Sequence, residues 1–288
     1  MRIALYSRKR DEEEQRFLRT VVEYLLQQNF EVLAHRNCQL EDYPVKIFAT
    51  HENVLTSLPI DFMISVGGDG SFIDAANLVG DLNIPLVGIN TGRIGFLSGI
   101  KKDNFRDCIQ YLLEKKYSIE KRSLMHFESS EPVGINRSFV INDVTVRATD
   151  CDSINAITVW ADGHKINTYW ADGLIVATPT GSTAYSLSCG GPILHPQTQV
   201  QILTPIASHS LSVRPLVIPA DVTLKIQVAG RLGKYSLAVD TERITVSNEV
   251  ELYLHKENFS IQTVLFENTD FYNIIREKLL WGLDKRNA

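Results

Sequence analysis

Residues Gly67-Gly68-Asp69-Gly70 set one carboxylate among three glycines. Glycines permit a tight turn and let another molecule approach the backbone. A carboxylate repels phosphate, so an acid in such a turn needs a task of its own. It can hold a metal ion, or it can take the proton of a hydroxyl that attacks phosphorus. A second block runs Thr178-Pro179-Thr180-Gly181-Ser182-Thr183-Ala184-Tyr185-Ser186-Leu187-Ser188. A helix cap would need one hydroxyl. A run this dense, spaced by Gly181 and Ala184, suits close approach by a sugar or phosphate, and amides at a helix start would add anion affinity. A third feature is Asn142-Asp143 inside the apolar run Phe139 to Val146. Asn and Asp are depleted in strand interiors, so the pair marks a bulge, an edge or a site aimed at a ligand. His195, before Pro196, reads as a turn histidine, and Arg93 as a surface residue. The chain has no GxxxxGK[ST] and no GxGxxG at its first βα turn, so neither a P-loop nor ordinary dinucleotide binding is signalled.

The elements around these residues can be read from periodicity. The glycine turn follows Phe62-Met63-Ile64-Ser65-Val66 and precedes a helix-like stretch from Ser71 to Ala76. It therefore lies where a buried strand hands over to a helix, the place where open α/β sheets bind ligands. Strands are expected at Ile3 to Tyr6, Phe30 to Ala34, Asp61 to Val66 and Ile84 to Ile89, with helices at Asp11 to Gln28 and Asp103 to Lys116. The strand ending at Ile89 leads into a second glycine-rich loop, Asn90 to Gly95. From Tyr117 the rhythm changes to short runs rich in Val, Ile, Thr and Tyr: Phe139 to Val146, Ile154 to Trp160, Ile166 to Trp170, Leu174 to Ala177, Leu224 to Val228, Tyr235 to Val239, Ile244 to Val246 and Val250 to Leu254. The tetrapeptide Trp160-Ala161-Asp162-Gly163 reads as a hairpin turn. Its repeat, Trp170-Ala171-Asp172-Gly173, admits the same reading, but its neighbours favour a site. The expected fold is a Rossmann-like α/β domain over 1–100, rejoined by a tail helix in 270–288, and a β-rich domain over 101–269.

Composition narrows the classes. At 288 residues, 44% hydrophobic and 22% charged, the chain suits a soluble two-domain protein. A net charge of -5 argues against general nucleic-acid binding while leaving room for a locally basic pocket. Cys38, Cys108, Cys151 and Cys189 are far apart and form no CxxC, so free thiols in a reducing cytoplasm are expected. The apolar start from Met1 to Tyr6 is too short for a signal peptide, and no run could span a bilayer. A cytoplasmic protein with neither a nucleic-acid nor a membrane partner is the expectation.

In combination and order, the motifs resemble those of the NAD kinase family. The likeness rests on Gly67 to Gly70, Gly88 to Leu97, Asn142-Asp143, and Asp172-Gly173 running through the hydroxyl block to Ser188. The glycine-aspartate turn alone is shared with diacylglycerol and sphingosine kinases and, more distantly, phosphofructokinases. The resemblance implies transfer of the γ-phosphoryl group of ATP to the adenosine 2′-hydroxyl of NAD, giving NADP, with a divalent metal. Magnesium is expected to arrive with ATP, with no direct protein ligands. It implies that Asp69 is the proton acceptor and that Gly67, Gly68 and Gly70 form the phosphate-donor loop, with Gly70 beside the dinucleotide. Asn142 and Asp143 are implied at a ribose, Asp172 at the nicotinamide side, and Thr183, Ala184, Tyr185, Ser186, Leu187, Ser188 and Ala207 in the adenosine pocket. A homodimer or homotetramer is implied, with the β-rich domain supplying the interface. Asp143 stands where the family often has Glu, and Asp240-Thr241-Glu242 where many members read Asp-Gly-Gln. The rival readings are a lipid kinase and a non-catalytic dinucleotide-binding regulator; the hydroxyl block favours a polar dinucleotide over a lipid. With no lysine in the glycine turn, donor phosphates fall to backbone amides, metal and arginines.

Overall fold

The computed structural model describes residues 1–8, 12–49, 55–92, 95–149, 154–267 and 270–281; Asp11, Arg93 and Cys151 lie outside them. The chain forms two compact units, Met1–Lys121 joined by the chain from Ile261, and Arg122–Ser260. The second is thus an insert in the first. The unit boundaries fall inside two long strands, whereas the sequence pattern places them near 100 and 269.

The first unit is built on β1 (Arg2–Ser7), β2 (Glu31–His35), β3 (Lys46–Phe48), β4 (Phe62–Val66) and β5 (Leu86–Asn90), paired in parallel in the order β3-β2-β1-β4-β5. Beyond β5 lie β6 (Ile100–Lys101) and, at Thr263, the end of a strand introduced below. Every residue of β4 and β5 is buried, as continuous apolar runs in a parallel sheet should be. Helix α1 (Glu12–Gln27) carries three acids in its first turn, which favour the positive end of its dipole. Its Leu18, Val21, Val22 and Leu25, spaced for one helix face, join the core with Ile3, Leu5, Ile64 and Val87. Burying each such side chain contributes roughly 1.5–3 kcal/mol. Helix α2 (Asp69–Val79) leaves the carboxyl end of β4, and α3 (Phe105–Leu113) buries Phe105, Ile109 and Leu112. The strand order reverses between β1 and β4. Doubly wound sheets bind ligands beside such a switch point, and the glycine turn lies there.

Strand β7 (Ser118–Ser129) leads into the second unit. It is followed by β8 (Phe139–Val140), β9 (Asp143–Arg147), β10 (Asn155–Ala161), β11 (His164–Ala177), the short helix α4 (Tyr185–Ser188), β12 (Val200–Ser208), β13 (Leu216–Pro219), β14 (Leu224–Ala229), β15 (Lys234–Val239) and β16 (Glu242–Ser247). Strand β17 (Leu252–Leu265) returns the chain to the first unit, where α5 (Phe271–Leu279) begins. The carboxylate of Asp270 caps α5 by accepting from the amides of Tyr272 and Asn273 at 2.9 and 3.1 Å. The tail helix therefore belongs to the first unit, as the sequence suggests. Two antiparallel runs, β13-β12-β11-β9-β15-β16 and β11-β10-β14-β17, share the long β11. Their inner faces supply one core, in which Val144, Val146 and Leu237 join Ile157, Ile226 and Leu254.

Three sequence expectations need correction. The run Phe139 to Val146 is two strands, because the backbone at Ile141 and Asn142 is drawn off to the side chain of Asp240. The runs Ile166 to Trp170 and Leu174 to Ala177 are one strand, β11, continuous through the second Trp-Ala-Asp-Gly, whereas the first is a hairpin turn with Asp162 at φ 48° and Gly163 at φ 81°. Strands β3, β6, β7, β12 and β13 were not expected; β3 has only three residues and β12 contains Pro205, which argues against a strand by local rules.

Candidate active site

In the first unit the chain leaves β4 at Gly67, whose φ of 144° lies where side chains are strained. Asp69 then opens α2. Its carboxylate accepts three consecutive backbone N–H groups: Phe96 at 2.8 Å on Oδ2, and Leu97 and Ser98 at 3.1 and 3.0 Å on Oδ1. The second glycine-rich loop is wrapped around it so closely that a Cβ on Gly95 would stand 1.5 Å from Oδ1. A carboxylate has about four acceptor sites. Three are filled, and the one left, on Oδ2, can receive a hydroxyl.

Two cations lie at this turn, and neither was singled out from the sequence. Arg8 follows β1 and grips Asp74 of α2 with Nε and Nη2 at 2.5 and 2.9 Å. Its guanidinium covers Gly70, where an added Cβ would be 2.8 Å from Nη1. The Tyr6 hydroxyl donates to the same carboxylate at 2.9 Å, and burial followed by the charge of Asp74 pushes Tyr6 up to about 12. Lys278 of α5 lies 5.1 Å above the Phe96 ring. Burial lowers its ammonium below the usual lysine range, and the charge of Asp69 works against that shift. The place of Arg8, just past a central strand's carboxyl end, is the signal that could have found it. Lys278 has no such signal, because only the fold returns the tail to the turn.

In the second unit, alternation puts Asp143, Thr145 and Arg147 on one face of β9, while Val144 and Val146 enter the core. Beside them on β15 are Ser236 and Ala238, small enough to leave a cavity of about 400 Å³. Asn142, Asp143, Ala184, Tyr185, Arg147 and Arg243 are among its walls. An adjoining cavity of about 430 Å³ shares both arginines and adds Asp172, Thr149 and Thr245. The locally basic pocket that the net charge left room for is therefore present. Asp143 is 8% exposed and accepts the Thr145 hydroxyl at 2.9 Å. Burial, with the nearby Asp240 adding to it, pushes its carboxyl up to about 7. Asp240 is raised by burial as well, opposed by the amides of Ile141, Asn142 and Asp143 at 2.9, 2.7 and 3.2 Å and by Arg137. Glu242 pairs with Arg137 at 2.8 Å.

The hydroxyl block spends much of its capacity on its own architecture. Thr178 Oγ1 donates to Ile141 O at 2.5 Å and accepts from Gly181 N at 3.1 Å. Ser182 Oγ donates to Pro179 O at 2.6 Å and accepts from Leu194 N at 3.0 Å, while Thr183 Oγ1 donates to Thr180 O at 3.1 Å. Ser186 is fully buried, its hydroxyl 2.7 Å from that of Thr204. Gly181 packs on Asn142 so tightly that a Cβ would stand 2.0 Å from the Asn142 carbonyl oxygen. Among the described residues, the two cavities are not lined by Thr183, Ser186, Leu187, Ser188 or Ala207. Ala207 has φ 46°, unusual for alanine, at the gap in the β11–β12 ladder opposite Asp172. Helix α4 has four residues, too few for the anion-binding helix start expected from the sequence. His195 orders a turn, its carbonyl accepting from Thr198 N at 3.0 Å.

Comparison with known proteins bears on both units. Residues 3–117 match the model of the ATP-NAD kinase N-terminal domain, and residues 141–264 that of the ATP-NAD kinase C-terminal domain. An NAD kinase of Flavobacterium psychrophilum is 40% identical over 268 residues, covering 92% of this chain and 90% of that protein. One of Cytophaga hutchinsonii is 38% identical over 267 residues, with the same coverage. The crystal structure of an NAD kinase from Archaeoglobus fulgidus in complex with ATP aligns at a TM-score of 0.75 and 25% identity, over 96% of this chain and 97% of that one. Yeast NADH kinase complexed with NADH shares the fold at a TM-score of 0.87 and 21% identity, over all of this chain and 89% of the other. Both halves of the chain thus lead to one conclusion: it belongs to the NAD kinase family.

Proposed function

We propose that this protein transfers the γ-phosphoryl group of ATP to the 2′-hydroxyl of the adenosine ribose of NAD, giving NADP. The observation that carries the reading is Asp69, fixed by three amides with one acceptor position open on Oδ2. That oxygen accepts the hydrogen bond of the attacking hydroxyl and orients it. A ribose hydroxyl is far less acidic than a carboxylic acid, so the proton moves late, as the bond to phosphorus forms. Gly67, Gly68 and Gly70 offer backbone to the donor phosphates, and Arg8 and Lys278 supply positive charge at the same turn.

The carboxylates of this turn do not form a metal cage. Three acceptor positions of Asp69 are taken by amides and the fourth is assigned to the attacking hydroxyl, while Asp74 is paired with Arg8 and Tyr6. That supports a divalent ion, magnesium by its preference for phosphate oxygen, carried on ATP. The second unit binds NAD. Asn142 and Asp143 take a ribose, Asp172 the nicotinamide side, and Arg147 and Arg243 suit the pyrophosphate by charge. Gly70, Thr183, Ala184, Tyr185, Ser186, Leu187, Ser188 and Ala207 complete the proposed contacts. Trp170, Leu211 and Val217 are exposed on this unit, at 58%, 94% and 41%, which supports a homodimer or homotetramer; a cytoplasmic location is part of the same proposal. Among the described residues no helix is long and apolar enough to cross a membrane.

The test is Asp69→Asn. NAD binding by calorimetry is expected to persist while NADP formation falls by ~100-fold or more. Undiminished turnover would sink the proton-acceptor role, and phosphorylation of diacylglycerol in place of NAD would sink the substrate.

A further inference from the structure

The two strands that carry the chain into and out of the second unit bear the same triplet, His-x-Glu. It is His126-Phe127-Glu128 on β7 and His255-Lys256-Glu257 on β17. Alternate residues of a strand share a face, so each triplet presents its His and Glu together. The strands are paired neighbours, and the two imidazoles stack with centroids 4.6 Å apart at 19°. One ligand atom from each of His126, Glu128 and His255 lies within 4.8 Å of the others.

The hydrogen bonds around the rings set which nitrogen is free for an ion, and a shared ion, which lies in the plane of each imidazole, requires the stacked rings to turn toward each other. His126 Nδ1 is 2.7 Å from Oε2 of Glu257, whose residue exposure is only 9%. His255 Nδ1 is 3.0 Å from the carbonyl oxygen of Lys256. A carbonyl or a carboxylate accepts, so each Nδ1 carries the hydrogen and, in the neutral ring, Nε2 carries the lone pair. Metal-binding histidines are oriented in this way, by an outer carboxylate or carbonyl on the far nitrogen. His126 Nε2 faces Glu128 Oε1 at 3.1 Å. An ion seated there would meet a ring nitrogen and a carboxylate oxygen together.

We propose that His126, Glu128 and His255 form a site for a divalent transition-metal ion of the zinc class, with Glu257 orienting His126. Two imidazoles and one carboxylate match the donor set that borderline ions take, with a fourth position for water. Magnesium and calcium, which prefer oxygen, are selected against. The ion would link β7 and β17 within the second unit. It is separate from the ion that travels with ATP, and the inference does not depend on the kinase reading.

The experiment is a titration of the chelator-treated full chain with Zn²⁺ and Co²⁺ near neutral pH, in the presence of millimolar-scale Mg²⁺. One ion per chain is expected, and the Co²⁺ form should show the visible d–d bands of a four-coordinate site. His255→Gln and His126→Gln should abolish both the stoichiometric uptake and the bands, while Glu257→Gln weakens binding ~10–100-fold. Circular dichroism and NADP formation with Mg²⁺ and ATP serve as fold controls for the variants. Absence of stoichiometric uptake by the wild-type chain would overturn the site even if a variant did not fold. So would an unchanged Co²⁺ spectrum in the histidine variants.

Discussion

Asp69 and Asp240 perform the same mechanical task in different units. Each carboxylate gathers three successive amides, 96–98 in one case and 141–143 in the other, and so fixes the loop that carries its neighbours. The acid in the glycine turn is thus a structural pin as well as the proposed proton acceptor. Asp143 has the opposite character, since burial pushes it up to about 7. Ribose hydroxyls donate best to the ionised form. NAD affinity should therefore be full above about pH 7 and fall as pH drops through that value, with a slope approaching ~10-fold per unit. Stability of the free protein should move the other way. The folded state holds this proton more tightly than the unfolded chain, so Asp143 costs stability as pH rises from the ordinary carboxyl range to about 7. Calorimetric NAD binding across this range, beside Asp143→Asn, checks the first claim. A wild-type slope equal to that of the variant would refute it. Of these residues, Asp69 and Asn142-Asp143 were visible in the sequence because their types are out of place in their local pattern. Arg147 and Arg243 were not, since arginine on a strand is unremarkable until the sheet sets the two beside Asp143.

At the scale of elements, two glycines separate the two chemistries. Gly95→Ala would drive a methyl into Asp69 Oδ1, from 1.5 Å, and lift the carboxylate out of its amides. Gly181→Ala would drive one into the Asn142 carbonyl, 2.0 Å away, and displace the hydroxyl block from β9. Each overpacking is expected to cost about 1–3 kcal/mol of stability. Their functional effects should diverge: Gly95→Ala lowers turnover with NAD affinity kept, and Gly181→Ala lowers NAD affinity. Steady-state kinetics with NAD calorimetry measure both, and identical profiles for the two variants would refute the division. The parallel strands and α1 were legible because continuous apolar runs and a helical stripe are local signals. The break at Ile141-Asn142 was not. It is imposed by Asp240, 99 residues from Ile141 in sequence, and no window on the strand contains the cause. The hydroxyl block misled in one respect for a related reason. Density of hydroxyls signals polarity but does not say that Thr178, Ser182 and Ser186 turn inward to bond Ile141, Pro179 and Thr204.

At the scale of the molecule, the second unit interrupts the first between Lys121 and Ile261. The core of the first unit takes residues from both sides of the interruption, Ile109 and Leu112 before it and Val264 and Phe266 after it. If the insert unfolds, the first unit must close a long flexible loop to keep that core. The closure penalty grows only by about 0.6 kcal/mol per doubling of loop length, yet it is present for any unfolded insert and absent when the insert is folded. A ligand of the insert should therefore protect the first unit too. At free NAD about 100 times its dissociation constant, mass action adds about 2.7 kcal/mol to the folded state. Hydrogen exchange followed by mass spectrometry reads this by element. Peptides from β9 and β15, which line the pocket, should slow on adding NAD. Peptides from β2, which carries no proposed site residue, should slow as well wherever they exchange through unfolding of their own unit. Protection confined to β9 and β15, with β2 unchanged at saturating NAD, would show that the first unit holds its core without a folded insert.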